Sequence, residues 1–107
     1  MPQVSFSVLF ALSLRPRHGY ELMQQVEHDS QGIVKIGPGA LYGTIKQLRE
    51  DGLIEEVDSD HDRRRYYRLT PKGLERLGAE LKYFHDTVKL AQQRGLVEHP
   101  RVAQWAI

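Results

Sequence analysis

Six apolar residues near the end of the chain, Leu74, Leu77, Leu81, Phe84, Val88 and Ala91, follow one another at spacings of 3, 4, 3, 4 and 3. That is an average repeat of about 3.5 residues, the period of a helix with one continuous apolar seam. Thr70 offers an N-cap oxygen, Pro71 suits the first helical position, and Gly95 suits the left-handed residue after a helix end. The position that would complete a capping box is Gly73, so its reciprocal Glu is missing. A helix from Pro71 to Arg94 is about 36 Å long at about 1.5 Å per residue. The chain has 107 residues, enough for one modest core. A small domain built from the preceding residues covers the first turns of such a helix and leaves the stretch around Phe84 and Val88 bare. The seam therefore needs a partner, and a second copy of the chain is the simplest one.

The preceding residues divide at their prolines and glycines. Val4 to Leu14 is mostly apolar, with Val4, Val8, Ala11 and Leu12 at helical spacing, and Pro16 ends it. Gly19 to His28 is a second amphipathic segment, with Leu22, Met23 and Val26 on one side, closed by Gly32. Pro38 opens a third, in which Leu41, Ile45 and Leu48 form a buried stripe. Gly52 then fits the left-handed position of a Schellman ending, with Leu53 placed to touch Leu48. Leu53 to Val57 and Arg64 to Leu69 read as two strands joined by a polar tip. Helix, helix, helix, two-stranded hairpin and long helix is the plan of a winged helix-turn-helix. The expected fold is therefore mainly α with a small β-hairpin, a winged helix-turn-helix followed by a long C-terminal dimerisation helix. The boundaries expected are 1–70, 71–95 and a tail, 96–107, that includes Trp105.

Several classes of function find no support. The absence of Cys removes disulfide frameworks, thiolate metal sites and thiol catalysis. Asp58, Asp60 and Asp62 imitate the start of a calcium loop, but Arg63 stands where that loop needs Gly and Leu69 where it needs a bidentate Glu. The histidines His18, His28, His61, His85 and His99 lack metal-ligand spacing, Gly37-Pro38-Gly39 is no phosphate loop, and no Ser sits in a nucleophile elbow. No enzyme activity, metal or cofactor is expected. The longest apolar run, Val8 to Leu12, is too short to span a bilayer, and no secretory signal precedes it. The polar face of the last helix mixes Lys72, Arg76, Lys82 and Lys89 with Glu75, Glu80 and Asp86, without the cationic bias anionic lipid selects. A cytoplasmic protein without a membrane role is the expectation.

Net charge is only +1, but its distribution is uneven. Glu50 to Asp62 holds seven carboxylates and no Lys or Arg, whereas Arg63 to Lys72 holds five basic residues and no carboxylate. Such blocks suit a solvated hairpin that pairs charge across its ladder, and they suit a polyanion site whose cations are Arg63, Arg64 and Arg65. In the third helix the face opposite Leu41, Ile45 and Leu48 carries Gly39, Gly43, Lys46, Gln47 and Glu50, flanked by Tyr42 and Arg49. Lys46 and Gln47 suit base edges, and Tyr42 a phosphate. Gly43 costs a helix interior about 1 kcal/mol relative to Ala, which leaves open close approach by DNA, close packing of another helix, or no special role. His18-Gly19-Tyr20 reads as structural, with Gly19 allowing close packing and Tyr20 adding core area.

His18-Gly19-Tyr20-Glu21, Gly39-Ala40-Leu41-Tyr42, Leu48-Arg49-Glu50-Asp51-Gly52-Leu53-Ile54 and Arg65-Tyr66-Tyr67-Arg68-Leu69-Thr70-Pro71-Lys72-Gly73 together resemble the phenolic acid decarboxylase repressor (PadR) family of bacterial regulators. The motifs occur in the family's order over roughly residues 4 to 90. Ala40 stands where the family usually has Thr or Ser, and Gly43 where Pro is common. The resemblance implies a winged-helix homodimer that binds double-stranded DNA through the helix containing Tyr42 and dimerises through its last helix. It also implies that a small aromatic or drug-like inducer acts on some members. The function expected is a DNA-binding transcriptional repressor acting as a homodimer on an inverted-repeat operator. Its site would comprise Gly39, Ala40, Tyr42, Gly43, Lys46, Gln47, Arg63, Arg64 and Arg65, with Leu74, Leu77, Leu81, Phe84, Val88 and Ala91 for dimerisation. The alternative is a dimerising winged-helix module that docks another protein and does not touch DNA.

Overall fold

The structure, a computed structural model, describes residues 1–58 and 62–98. Ser59, Asp60 and His61 at the hairpin tip lie outside the described residues, as do 99–107 with Trp105. The elements run α1 (Gln3–Leu12), β1 (Arg17–His18), α2 (Gly19–Asp29), α3 (Pro38–Glu50), β2 (Ile54–Val57), β3 (Tyr66–Leu69) and α4 (Pro71–Gln93).

The helix ends follow local chemistry. Arg17, itself buried, donates from Nε to the Ala11 carbonyl at 3.0 Å and so satisfies an acceptor that the end of α1 leaves open. At the start of α2 the His18 imidazole Nδ1 accepts from the Glu21 amide, and the Glu21 carboxylate accepts from the His18 amide, each at 3.4 Å. This is a capping box with His in the place usually held by Ser or Thr. Helix α3 starts at Pro38 and ends in a Schellman pair, Leu53 N–H to the Leu48 carbonyl at 2.9 Å and Gly52 N–H to the Arg49 carbonyl at 3.0 Å. Gly52 takes the φ of +75° that this ending requires.

Thr70 caps α4 by accepting the Gly73 amide at 3.0 Å, and its hydroxyl donates to the Gly52 carbonyl at 2.6 Å. A Cβ at Gly73 would overlap the Leu53 carbonyl. The missing capping-box Glu thus has a steric reason, because α4 starts in backbone contact with the end of α3.

The wing is a three-stranded antiparallel sheet in the order β1-β3-β2, the expected hairpin of β2 and β3 with β1 added beside β3. Ile54 pairs with Leu69, Glu55 with Arg68, Glu56 with Tyr67 and Val57 with Tyr66, while Arg17 and His18 pair with Tyr67 and Tyr66. Two residues are too few to display a strand period, so β1 has no signature of its own.

Val8, Leu9, Leu22, Val26 and Leu41 fill the centre of the core, joined by Ile45, Leu48, Leu53, Ile54, Tyr67 and Leu77. Two sequence expectations change here. Leu77, assigned to dimerisation, is 2% exposed because α4 lays its second turn on the chain's own core. Tyr20, assigned to the core, is 62% exposed because Leu22 and Val26 take the inward side of α2. Beyond Leu77, helix α4 leaves the core, and every residue from Leu81 to Leu90 is exposed.

Candidate nucleic-acid interface

The inward stripe of α3 (Leu41, Ile45, Leu48) presents Gly39, Ala40, Tyr42, Gly43, Lys46 and Gln47 to the outside, all of them exposed. A Cβ on Gly39 or Gly43 would meet nothing within 4 Å among the described residues. Among the described residues, then, these glycines do not serve close helix packing. On one flank α3 and the wing enclose a groove of about 490 Å³ lined by Tyr42, Ile45, Lys46, Arg49, Glu50, Arg65 and Tyr67. The structure brings Tyr42, Lys46 and Arg65 together there. Gln47 is turned to the opposite flank, where its amide donates to Asp51 Oδ1 at 3.1 Å in a hollow shared with Lys72 and Arg76.

Much of the acidic block is engaged within the molecule. Glu55 meets its register partner Arg68 at 2.7 Å. Glu56 lies 3.6 Å from Arg49 and 3.7 Å from Arg65. Asp62 accepts the Arg64 amide at 2.8 Å and the Tyr66 hydroxyl at 3.1 Å. The backbone hydrogen bond from Arg64 holds the Asp62 carboxyl below its ordinary range. Burial and the nearby Glu56 charge push the Tyr67 phenol up. Exposed ion pairs of this kind contribute only about 0–1 kcal/mol, so an incoming phosphate can compete for Arg65 and Arg49.

Arg64 Nη1 lies 2.8 Å from Nε2 of the buried His18, a nitrogen that also has the Glu21 carboxylate at 3.1 Å, so the wing and the start of α2 meet here. Arg63 is exposed just before β3, next to the undescribed tip. Sequence reasoning missed the His18–Arg64 link, which joins residues 46 positions apart. It found Gly19 as a close-packing site but not its neighbour, the Tyr42 hydroxyl, which a Cβ on Gly19 would overlap. No cluster of His, Asp and Glu able to hold a metal occurs among the described residues. No helix among them is long and apolar enough to cross a membrane.

Residues 8–79 match the Transcriptional regulator PadR-like family. The chain belongs to that family. Among curated relatives it is 37% identical, over 73 residues, to an uncharacterized 37.1 kDa protein of transposon TN4556 from Streptomyces fradiae, covering 68% of this chain and 20% of that protein. It is 33% identical over 66 residues to the transcriptional regulator YqjI of Escherichia coli K12, covering 62% of this chain and 31% of the relative. The chain thus spans a fifth to a third of the length of these two. The winged-helix fold of this PadR-like chain is shared with a PadR family transcription regulator from Clostridium difficile R20291, at a TM-score of 0.74 and 21% identity, covering 86% of this chain and 97% of the other.

Proposed function

We propose that this PadR-like regulator binds double-stranded DNA with α3 in the major groove and the β2–β3 wing on the adjacent phosphates. The observation that carries this reading is the groove in which Tyr42 and Lys46 of α3 face Arg65 of the wing, beside a helix surface left open at Gly39 and Gly43. A helix with two exposed glycines can seat close to a duplex, and Lys46 reaches from it toward base edges. Gly39, Ala40 and Gly43 form the contact surface, and Arg63, Arg64 and Arg65 neutralise phosphates. Gln47 adds contacts only by leaving Asp51.

The regulator works as a homodimer through Leu74, Leu81, Phe84, Val88 and Ala91 of α4, with Leu77 removed from that set. Repression follows when the dimer occupies an inverted-repeat operator and denies the site to polymerase. A cavity of about 490 Å³ lined by Phe6, Phe10, Val26, Val34 and Phe84 lies beside the seam and suits an apolar inducer.

Fluorescence anisotropy on a random-sequence duplex across a salt series tests the reading. Wild-type affinity should fall linearly as log K against log salt. The triple variant R63A/R64A/R65A should flatten the slope by about one unit per lost phosphate contact. Absence of binding at low salt would overturn the reading and favour the protein-docking module.

A further inference from the structure

His18 is the one buried histidine among the described residues, 6% exposed, and its ring lies where β1, α2 and the start of β3 meet. Three groups compete for its two nitrogens. The Glu21 amide faces Nδ1 from 3.4 Å. Nε2 has Arg64 Nη1 at 2.8 Å and Glu21 Oε1 at 3.1 Å. A neutral imidazole carries one proton and one lone pair, whereas an imidazolium carries two protons and no lone pair. A guanidinium can only donate and a carboxylate can only accept, so Nε2 cannot serve both at once. Bare, it accepts from Arg64. With both nitrogens protonated, the ring donates to Glu21 and meets Arg64 with like charge.

We propose that His18 is a proton-operated latch between α2 and the wing. Neutral, it holds Arg64 on a bare Nε2; protonated, it gives that nitrogen to Glu21 and releases Arg64. The groups around the ring suit both states. From α2 comes Glu21, itself paired with Arg15 of the segment between α1 and β1. From the segment before β3 come Arg64 and Asp62, and Asp62 accepts the Arg64 amide at 2.8 Å. Tyr66 of β3 sets its ring edge-on to the imidazole, with centroids 5.2 Å apart, and donates its hydroxyl to Asp62. Tyr20, Tyr42 of α3 and Arg65 line the hollow that the ring borders. Arg17, its neighbour in β1, is turned away to the Ala11 carbonyl. A second ring proton therefore finds a carboxylate already in place. Burial would raise the Glu21 carboxyl, but Arg15 and the His18 amide outweigh that and keep it below the ordinary 4.5, so it stays mostly charged where histidines titrate. Asp62 still holds the Arg64 backbone when the guanidinium leaves, which confines the release to that side chain. The latch belongs to the DNA-free protein, so its failure would leave the DNA-binding reading untouched.

Urea unfolding of wild type, H18N, R64A and H18N/R64A at about pH 8 and about pH 5 tests it. Asn keeps an acceptor for the α2 cap and removes Nε2. At the higher pH the two sites should be coupled about tenfold in the unfolding constant, the lower end for a hydrogen bond to a charged group, so the double variant should be no worse than R64A. At the lower pH the coupling should vanish and the two effects should multiply. A coupling equal at both pH values, or none at the higher one, would overturn the latch. Nitrogen NMR of the wild-type ring gives a readout that needs no variant. Nε2 should be bare at about pH 8 and protonated at about pH 5. A proton on Nε2 at both would overturn the proposal even if H18N failed to fold.

Discussion

At Gly73 the chain has no room for a side chain, and at Gly43 it has room that it leaves empty. The two glycines predict opposite responses to Ala. G73A pushes a methyl into the Leu53 carbonyl and separates the joint between α3 and α4, which should cost about 3 kcal/mol of stability, read as a lower urea midpoint. G43A removes the helix penalty of glycine and should raise stability by about 1 kcal/mol. The same methyl should weaken DNA binding, because it stands where the duplex would approach α3. A G43A variant that binds DNA as well as wild type would show that α3 does not seat closely. Glu21 gives a third residue-scale expectation. Burial alone would raise its pKa, but the Arg15 side chain and the His18 amide outweigh that and bring it below the ordinary 4.5. Its folded value lies below its unfolded one, so its contribution is present above about pH 5 and is lost as pH falls through 4.5 toward the folded value. The stability difference between wild type and E21Q should shrink over that window. A difference independent of pH would separate Glu21 from the linkage.

Among the elements, those with chemical punctuation were legible in the sequence. Pro38 and Gly52-Leu53 bracket α3, and Thr70-Pro71 and Gly95 bracket α4, because caps and left-handed glycines act within a few residues. Features that depend on distant residues were not legible. Strand β1 exists because β3 pairs with it, and Arg64 is steered by a His 46 positions earlier. His18 was not read as a helix cap because its side chain lacks the usual hydroxyl or carboxylate. The face of α3 was read correctly as exposed, but rotation along that face was finer than the pattern could give. Lys46 points into the wing groove and Gln47 toward Asp51. Sequence preference should therefore rest on Lys46. K46A is expected to lose about 1–3 kcal/mol of discrimination at one base position per half-site, and Q47A distinctly less. Selection of bound sequences from random DNA with each variant would check this, and an equal loss in both would return Gln47 to the base-reading surface.

For the whole molecule, α4 decides what kind of particle the chain forms. The apolar period treated Leu77 and Leu81 alike, since spacing says which residues share a stripe and not how far the core extends beneath it. The structure separates them, with Leu77 at 2% and Leu81 at 40% exposure. Removing Leu77 takes a side chain from the folded core, so L77A should cost about 2–5 kcal/mol at any protein concentration. Leu81 stands with Leu74, Phe84 and Val88 on a helix that extends past its own core, within a molecule 50 × 29 × 23 Å across. About half of each such side chain is still exposed, so burying it against a partner would contribute roughly 1 kcal/mol, and the set on two copies would have to offset the cost of association. A carboxylate at that seam would be buried without a partner. L81D should therefore sediment as a monomer while keeping its helical signal, and it should lose tight operator binding while retaining weak, salt-sensitive binding to any duplex. In such a dimer two α3 helices related by its axis would have to reach successive major grooves, about 34 Å apart, so operators selected by the wild type should be inverted repeats with half-sites one turn apart. A wild type that sediments as a monomer well above micromolar concentration would remove both the dimer and the palindrome, and α4 would then need a different partner for its exposed seam.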